Sequence, residues 1–398
     1  MKRDLVSDIK DMLFWYAREN RIIFLPIHAF FLSIWIILCK LLFKRRIVNR
    51  NKKVVAFTSL YFNGNARAVF EYITEKFEGA YTCFWIARNM TTYKHLRKLK
   101  KPVVYLYFPF IALNLVTNTS ALVTNDSYLL FLFPHKPKTI QLWHGVGPKG
   151  IPPIDYSICD ARCVTSEYTK KRHIELWNAP PEKLYVTGFA RMDILYHYLK
   201  VPKNALLEEL KINSKKRIIL YAPTFDIGLW PWNDPYTEFR KLCEFCKKND
   251  LTLILRLHPL TKIKRKKLKK IIEEYENVYW IDASEEPDTM KLLAASDILI
   301  TDWSSIYTDY FLTKRPIIYL EVNAKYFTEE RGKPEIPPEF RAGEVARNNE
   351  EFCKALDIVL RVGNRFVKEQ ERLLKLIHGD VDGKARERVT EVIKKLLA

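Results

Sequence analysis

The stretch Asp297–Glu321, DILITDWSSIYTDYFLTKRPIIYLE, decides how this chain folds. Ile298 to Ile300 is a short apolar run of the kind that fills a buried parallel strand. Thr301-Asp302-Trp303-Ser304-Ser305 then turns the chain into a helical pattern, Ile306 to Leu312. Lys314-Arg315-Pro316 ends that helix, and Ile317 to Leu320 supplies the next strand. The unit is β-α-β, and its strand-to-helix turn carries one acid and two hydroxyls. Such a turn offers side-chain and backbone donors to an anion at the positive end of a helix. Taken alone it reads as a helix cap. The neighbouring strand ends change that.

Working outward, the same alternation continues on both sides. Arg217–Ala222, Leu251–Leu257 and Val278–Ile281 are the other strands of a Rossmann-like layer assigned to residues 201–398. Phe366 to Leu397 closes it as two helices around Gly379–Gly383. A polar, proline-bearing join, Leu199 to Ser214, separates this layer from an earlier one over residues 51–200. The earlier strands are Val54–Ser59, Tyr81–Ala87, Val103–Leu106, Ala121–Thr124, Ile140–Trp143 and Leu184–Thr187, with a helix over Ala66–Lys76. The fold class is therefore α/β, with two Rossmann-like domains facing a cleft. Nothing in these layers points to a dinucleotide cofactor.

Composition agrees with this frame. A chain of 398 residues is long for one core. Lys+Arg of 66 against Asp+Glu of 46 gives a formal charge of +20, which suits an anionic partner. Seven scattered cysteines argue for a reducing compartment rather than a disulfide framework. Cys243-x-x-Cys246 lies in a helical pattern with no second Cys/His pair, as buried structural thiols do. The basic run Lys262 to Tyr275 reads as a solvated helix face. No nucleic-acid motif accompanies the charge.

Residues 1–50 form a membrane-associating helical segment. Leu5, Ile9, Met12, Leu13 and Tyr16 share one helical face. Ile22 to Cys39 then runs 18 residues without a formal charge, interrupted by Pro26, His28 and Ser33. Lys40, Lys44, Arg45, Arg46, Arg50, Lys52 and Lys53 follow, which puts the downstream side at the cytoplasmic face. An in-plane anchor and a span are both physical for such a run, with a buried core helix the weaker alternative.

Polar residues gather at the strand ends, where open parallel sheets bind ligands. His144-Gly145 follows Ile140–Trp143. His258-Pro259 follows Leu251–Leu257, with Arg256 just inside. Thr224 follows Arg217–Ala222, and Asp302, Ser304 and Ser305 follow Thr301. Four such ends, two with histidine, are hard to explain by packing. His144 has the titration range of a general base, and Gly145 permits close approach. Arg256 and the Ser304/Ser305 turn supply positive potential and donors for phosphate.

WHGVGPK (143–149), LRLHP (255–259), ITDWSSIYTDYFLTKRPIIYL (300–320) and DGKARERV (382–389) resemble the CDP-glycerol glycerophosphotransferase family of wall teichoic acid synthesis. Ser166-Glu167-Tyr168 and the segment Gly188–Asp193 fall in the same order. The resemblance implies a GT-B fold whose second domain holds CDP-glycerol. It implies that His144 deprotonates an acceptor hydroxyl, which attacks the β-phosphorus as CMP leaves. His258 would contact the pyrophosphate, and Asp302, Ser304 and Ser305 would seat the phosphates or glycerol. Gly145, Lys149, Arg191, Thr224, Arg256, Pro259 and Thr301 complete the substrate-binding candidates.

The partners implied are CDP-glycerol, an undecaprenyl-pyrophosphate-linked disaccharide acceptor and an anionic membrane surface, with a homo-oligomer as a further option. No protein-bound metal or cofactor is expected, while Mg²⁺ is free to accompany the donor pyrophosphate. The chain resembles the primase type, with a polymerase using CDP-glycerol or CDP-ribitol as the alternative. A GT-B glycosyltransferase using a nucleotide sugar, and a non-catalytic binder of anionic lipid or nucleic acid, are the other two classes. Three departures bear on the donor: Asp226 where a basic residue is usual, Trp303 where tyrosine is usual, and the aromatic segment Gly228–Trp232, which would line the alcohol pocket or contact lipid.

Overall fold

The computed structural model describes residues 25–41, 53–126 and 128–398. Strands β1 (Val54–Ser59), β2 (Thr82–Ala87), β3 (Val103–Tyr105), β4 (Thr119–Thr124) and β5 (Lys138–Gln141) come first. After β6 (Gly150–Ile151) come β7 (Ala161–Val164) and β8 (Leu184–Val186). The order across this sheet is β3-β2-β1-β4-β5-β7-β8, with every pairing parallel. The second half contributes β9 (Arg217–Tyr221), β10 (Leu251–Leu255), β11 (Val278–Trp280), β12 (Ile298–Thr301), β13 (Ile317–Leu320), β14 (Lys333–Pro334) and β15 (Glu344–Ala346). Its sheet runs β11-β10-β9-β12-β13-β15, again parallel. In both sheets the strand order reverses next to the first strand, between β1 and β4 and between β9 and β12, which is the switch point of a Rossmann-like layer. The architecture is GT-B-like α/β.

Apolar runs without alternation are required because each sheet is covered on both faces. Val55 and Phe57 of β1 pack under the helix Gly64–Lys76, while Val54 and Ala56 face Leu32, Trp35 and Ile36 of the helix Leu25–Leu41. In β9, Ile219 and Tyr221 join one core and Ile218 and Leu220 the other.

The helix Leu25–Leu41 corrects one expectation. Part of its apolar run is core: Trp35 is fully buried and its indole N–H donates to the Leu132 carbonyl at 2.7 Å. Phe30 and Ile37 are exposed, while Phe31 and Trp35 of the same helix set their rings against Phe108 and Phe110. Among the described residues no helix is long and apolar enough to cross a membrane. The amphipathic stretch before residue 25 and the basic cluster after residue 41 lie outside the described residues.

Other differences are local. Strand β5 stops at Gln141, so Trp143 and His144 stand in a loop. Strands β7 and β15 escaped the sequence pattern, and the join near residue 200 contains a helix, Lys203–Glu209. The last helix, Ala385–Leu397, was grouped with the second half. It instead packs Val389, Val392 and Ile393 into the first half's core. Its start is capped from that half too, because Asp193 accepts from the Ala385 and Arg386 N–H groups at 3.1 and 2.8 Å. The helix before it, Val367–His378, is bound at its C-terminus by the Thr165 and Ser166 hydroxyls, which donate to the Ile377 and Leu376 carbonyls. The motifs Ser166-Glu167-Tyr168, Gly188–Asp193 and DGKARERV thus anchor the closing helices. A two-stranded ribbon of β6 and β14 also crosses between the halves.

Candidate active site

The site forms where loops leaving the carboxyl ends of both sheets meet. At the second switch point Asp302 organises the turn after β12. Its carboxylate accepts from the Thr224 N–H at 3.1 and 3.0 Å and from the Ser304 N–H at 3.0 Å. Burial raises the Asp302 carboxyl above its ordinary range, with Lys149 opposing the shift. Ser304 and Ser305 are half-buried, and neither hydroxyl has a hydrogen-bond partner among the described residues. The helix they open, Ile306–Tyr310, is only five residues long. Its dipole is therefore small, and the free hydroxyls and turn amides are the donors that count.

The Trp143–Lys149 loop from the first half lands on this turn. A Cβ on Gly145 would sit 2.2 Å from the Ser305 Oγ, and one on Gly147 would sit 2.9 Å from its Cβ. Glycine is needed at both places for this close contact. Thr308 fixes the contact by donating to the Val146 carbonyl at 3.0 Å. Trp143 adopts φ +60, a left-handed conformation costly for a bulky residue. Its N–H donates to the Gln141 side chain at 3.0 Å, and its carbonyl accepts from Asn65 at 2.9 Å. That distortion turns His144 out into the cleft, where its ring is exposed. The crowded cleft walls hold its pKa below the usual histidine value, helped by Arg191 and Arg162 and opposed by Asp126 and Glu335. A neutral imidazole at pH 7 is the state a general base needs.

His258 approaches from β10. Pro259 sets the turn in which the Thr261 N–H donates to the His258 carbonyl at 2.9 Å. The Leu260 N–H donates to the His258 Nδ1 at 3.2 Å, so the neutral ring carries its proton on Nε2. Burial, then Lys149 and His144, lowers its pKa to about 4. Lys149 lies 3.7 Å from Asp226, against the rings of Phe225 and Phe327. Burial lowers its pKa too, although Asp302 and Asp226 resist. Asp226, the departure noted above, also pairs with Arg331 at 2.9 Å, so two cations flank one acid. Two histidines and a lysine thus converge on uncommitted hydroxyls. The arrangement can hold a pyrophosphate and deprotonate a hydroxyl beside it.

Three sequence candidates have other occupations. The Thr301 hydroxyl is fully buried and donates to the Ala222 carbonyl at 2.7 Å, inside the sheet. Arg191 forks onto Asp309 at 2.9 and 3.0 Å and donates to the His144 carbonyl at 2.8 Å. It holds the His144 backbone in place. Arg256 donates to the Ile281 carbonyl at 3.2 Å and stitches the following loop, leaving its charge but little of its fork. The aromatic segment is corrected as well. Trp230 is buried against Tyr221 and Phe352, and its N–H donates to Asn349 at 2.9 Å. Trp303 donates to the Val322 carbonyl at 2.7 Å under Arg341, so it too belongs to the core. Cys243 and Cys246 are buried free thiols.

Sequence reasoning missed Asn65, Gln141, Arg162 and Asp309, all of which shape the His144 loop. Asn65 was visible only as a polar residue after β1, and Asp309 only as an acid within a helix. Among the described residues no group of three or more His, Cys, Asp or Glu side chains is placed to hold a metal. The chain's Asp380-Val381-Asp382 spacing lies between the last helices, where Asp382 pairs with Arg388 at 2.8 Å.

Known proteins resemble this chain over most of its length. The model of the CDP-Glycerol:Poly(glycerophosphate) glycerophosphotransferase family matches residues 41–395. The teichoic acid ribitol-phosphate polymerase TarL of Staphylococcus aureus (strain NCTC 8325 / PS 47) is 26% identical over 65% of this chain and 48% of its own length. The chain spans about half the length of the first curated relatives it matches, 48% and 47%. A teichoic acid glycerol-phosphate transferase of the same organism is 24% identical over 87% of this chain and 94% of its own length. Among solved structures, the wall teichoic acid polymerase TagF aligns with a TM-score of 0.70 at 20% identity, covering 99% of this chain and 98% of that one, which speaks to the fold. The chain belongs to the CDP-glycerol:poly(glycerophosphate) glycerophosphotransferase family.

Proposed function

We propose that the protein transfers glycerol phosphate from CDP-glycerol to a hydroxyl of a lipid-linked acceptor and releases CMP. The acceptor is an undecaprenyl-pyrophosphate-linked disaccharide, bare or already carrying its first unit. The observation that carries this reading is the convergence of His144, His258 and Lys149 on the Ser304/Ser305 turn. His144 takes the hydroxyl proton as the acceptor oxygen bonds to the β-phosphorus. The bond from that phosphorus to the bridging oxygen breaks, and its electron pair leaves on CMP. His258 offers its Nε2 proton to the pyrophosphate, and Lys149 opposes the charge that gathers on the leaving group. Mg²⁺ carried in by the pyrophosphate would share that task.

A second reading, ribitol phosphate transfer from CDP-ribitol, is favoured by the ribitol-phosphate polymerases among the relatives. Incubation with CDP-glycerol, CDP-ribitol and a UDP-sugar, each with a short-chain lipid-linked acceptor, separates the readings by product mass. Mass gain from the UDP-sugar alone would sink both. The exposed Phe30, Ile37, Phe108 and Phe110 support peripheral or monotopic attachment at the cytoplasmic face of the cell membrane. Salt-resistant co-sedimentation with anionic vesicles tests it, and complete release at low salt would refute it.

A further inference from the structure

A second cleft, of about 940 Å³, opens where the carboxyl ends of β7 and β8 meet the end of the helix Val367–His378. That is the size of a small-molecule site. Thr165, Tyr168, Thr187 and His378 line it, and none of His144, Lys149, His258, Ser304 and Ser305 does. His378 is buried to 2% exposure, yet neither of its ring nitrogens has a hydrogen-bond partner among the described residues. The Asp309 carboxylate lies 3.8 Å from its Nε2, beyond hydrogen-bond reach. Asp309 is also the partner of Arg191, so the cleft backs onto the pair that holds the His144 loop.

The lining decides what fits. Burial keeps the imidazole neutral near pH 7, with its pKa lowered to about 4, so the ring carries one donor and one acceptor. A phosphate only accepts and an ammonium only donates, so either would leave one buried nitrogen unpaired, at a cost. Hydroxyls do both. The charges around the cleft agree. Arg388 is taken by Asp382 and the Thr187 carbonyl, each at 2.8 Å. Arg372 is taken by Glu369 at 2.6 Å, and Glu371 by Lys314 at 2.5 Å. Glu167, Lys375 and Asp380 are left with no ion-pair partner among the described residues. Two carboxylates against one ammonium disfavour an anion, while together they accept from and donate to hydroxyls. Tyr168, half-buried and set against Phe340 at 6.1 Å, adds an aromatic face for the apolar side of a sugar ring.

We propose that this cleft is a second ligand site, apart from the His144 and His258 cleft, that binds a neutral saccharide with His378 hydrogen-bonded to its hydroxyls. The site stands independently of the transferase reading. Ligand-observed NMR titration of the full chain with cellobiose and chitobiose tests it, with inorganic phosphate and spermidine as the charged alternatives. Wild-type protein should bind a disaccharide in preference to either charged probe. Lys375→Met combined with Asp380→Asn, both on the exposed rim, should weaken that binding about 10-fold. His378→Phe, which removes both nitrogens, should weaken it at least as much, and His378→Gln, which keeps a donor and an acceptor, should fall between. The rim variant keeps the test decisive if His378→Phe does not fold. CDP-glycerol affinity, read by calorimetry, should be unchanged in the rim variant.

Failure of both disaccharides to bind overturns the inference. So does saccharide binding that the rim variant leaves unchanged, or tighter binding of phosphate or spermidine that the rim variant abolishes. Displacement of the saccharide by CDP-glycerol would place it in the other cleft and overturn the inference too. Displacement by a short-chain lipid-linked disaccharide would assign the cleft to that molecule's sugars, and no displacement would assign it to a free saccharide; the site stands in both cases. Saccharide binding without transfer from CDP-glycerol to any acceptor would remove the transferase reading and leave this site in place.

Discussion

Replacing Arg191 with methionine isolates what holds His144 in place. The guanidinium forks onto Asp309 at 2.9 and 3.0 Å and reaches the His144 carbonyl at 2.8 Å. Both side chains are nearly inaccessible, Arg191 at 7% and Asp309 at 3%. Removing one partner of a buried pair leaves the other charge uncompensated, at about 3–5 kcal/mol. With about 2–4 °C per kcal/mol in a domain of roughly 150–250 residues, the thermal midpoint should fall by roughly 6–20 °C. Turnover, read as CMP release, should fall about 100-fold, since a base displaced by roughly 1 Å loses that much. The double variant Arg191→Met with Asp309→Leu replaces the pair by apolar groups and should recover most of the stability. It should not recover turnover, because nothing then ties down the His144 carbonyl. A single variant that melts within 2 °C of wild type, or a double variant that regains turnover, would refute the positioning role.

Three further outcomes follow from the geometry. The acid limb of kcat/KM should lie below about pH 6.5, because His144 is held below the ordinary histidine pKa and stays neutral to lower pH; a limb centred above that value removes His144 as the base. Gly145→Ala drives a Cβ into the Ser305 Oγ, whereas Gly147→Ala meets the Ser305 Cβ and, at 3.2 Å, its Cα. Adding Ser305→Ala should therefore restore the melting temperature of the first variant more than that of the second, and equal restoration would contradict the packing. His378 is buried and its pKa is lowered to about 4, chiefly by burial. The unfolded chain then binds a proton near pH 6.5 that the folded chain refuses until about 4, so stability falls as pH drops through that window, by roughly 3 kcal/mol. Denaturant titrations of His378→Gln should show a flatter decline, and an unchanged slope would place the acid sensitivity elsewhere.

The sheet cores and the strand ends were legible in the sequence because uninterrupted apolar runs have few other uses. Ile298–Thr301 and Arg217–Tyr221 fell where the pattern put them. Short strands were not legible: β7 reads Ala-Arg-Cys-Val, and the arginine hides it. What a strand-end residue does also depends on whether a partner is already present, which one sequence cannot show. Thr301 and Arg191 looked like ligands until the Ala222 carbonyl and Asp309 accounted for them. Ser304 and Ser305 looked like caps, yet neither hydroxyl has a hydrogen-bond partner among the described residues. Trp143 was assigned to a strand because nothing in its neighbours announces a left-handed backbone.

The ribbon of β6 and β14 works as a clasp. It joins the halves through two residue pairs, Gly150 with Pro334 and Ile151 with Lys333. Gly150 and Gly332 let the backbones touch, since a Cβ on either would fall 2.3 Å from a carbonyl oxygen across the ribbon. Pro334 has no N–H, so few hydrogen bonds resist unfastening. Lys149 immediately precedes one strand and Glu335 immediately follows the other. The charges that these two residues bring, a cation beside Asp226 and an anion beside His173, are therefore positioned through one short ribbon.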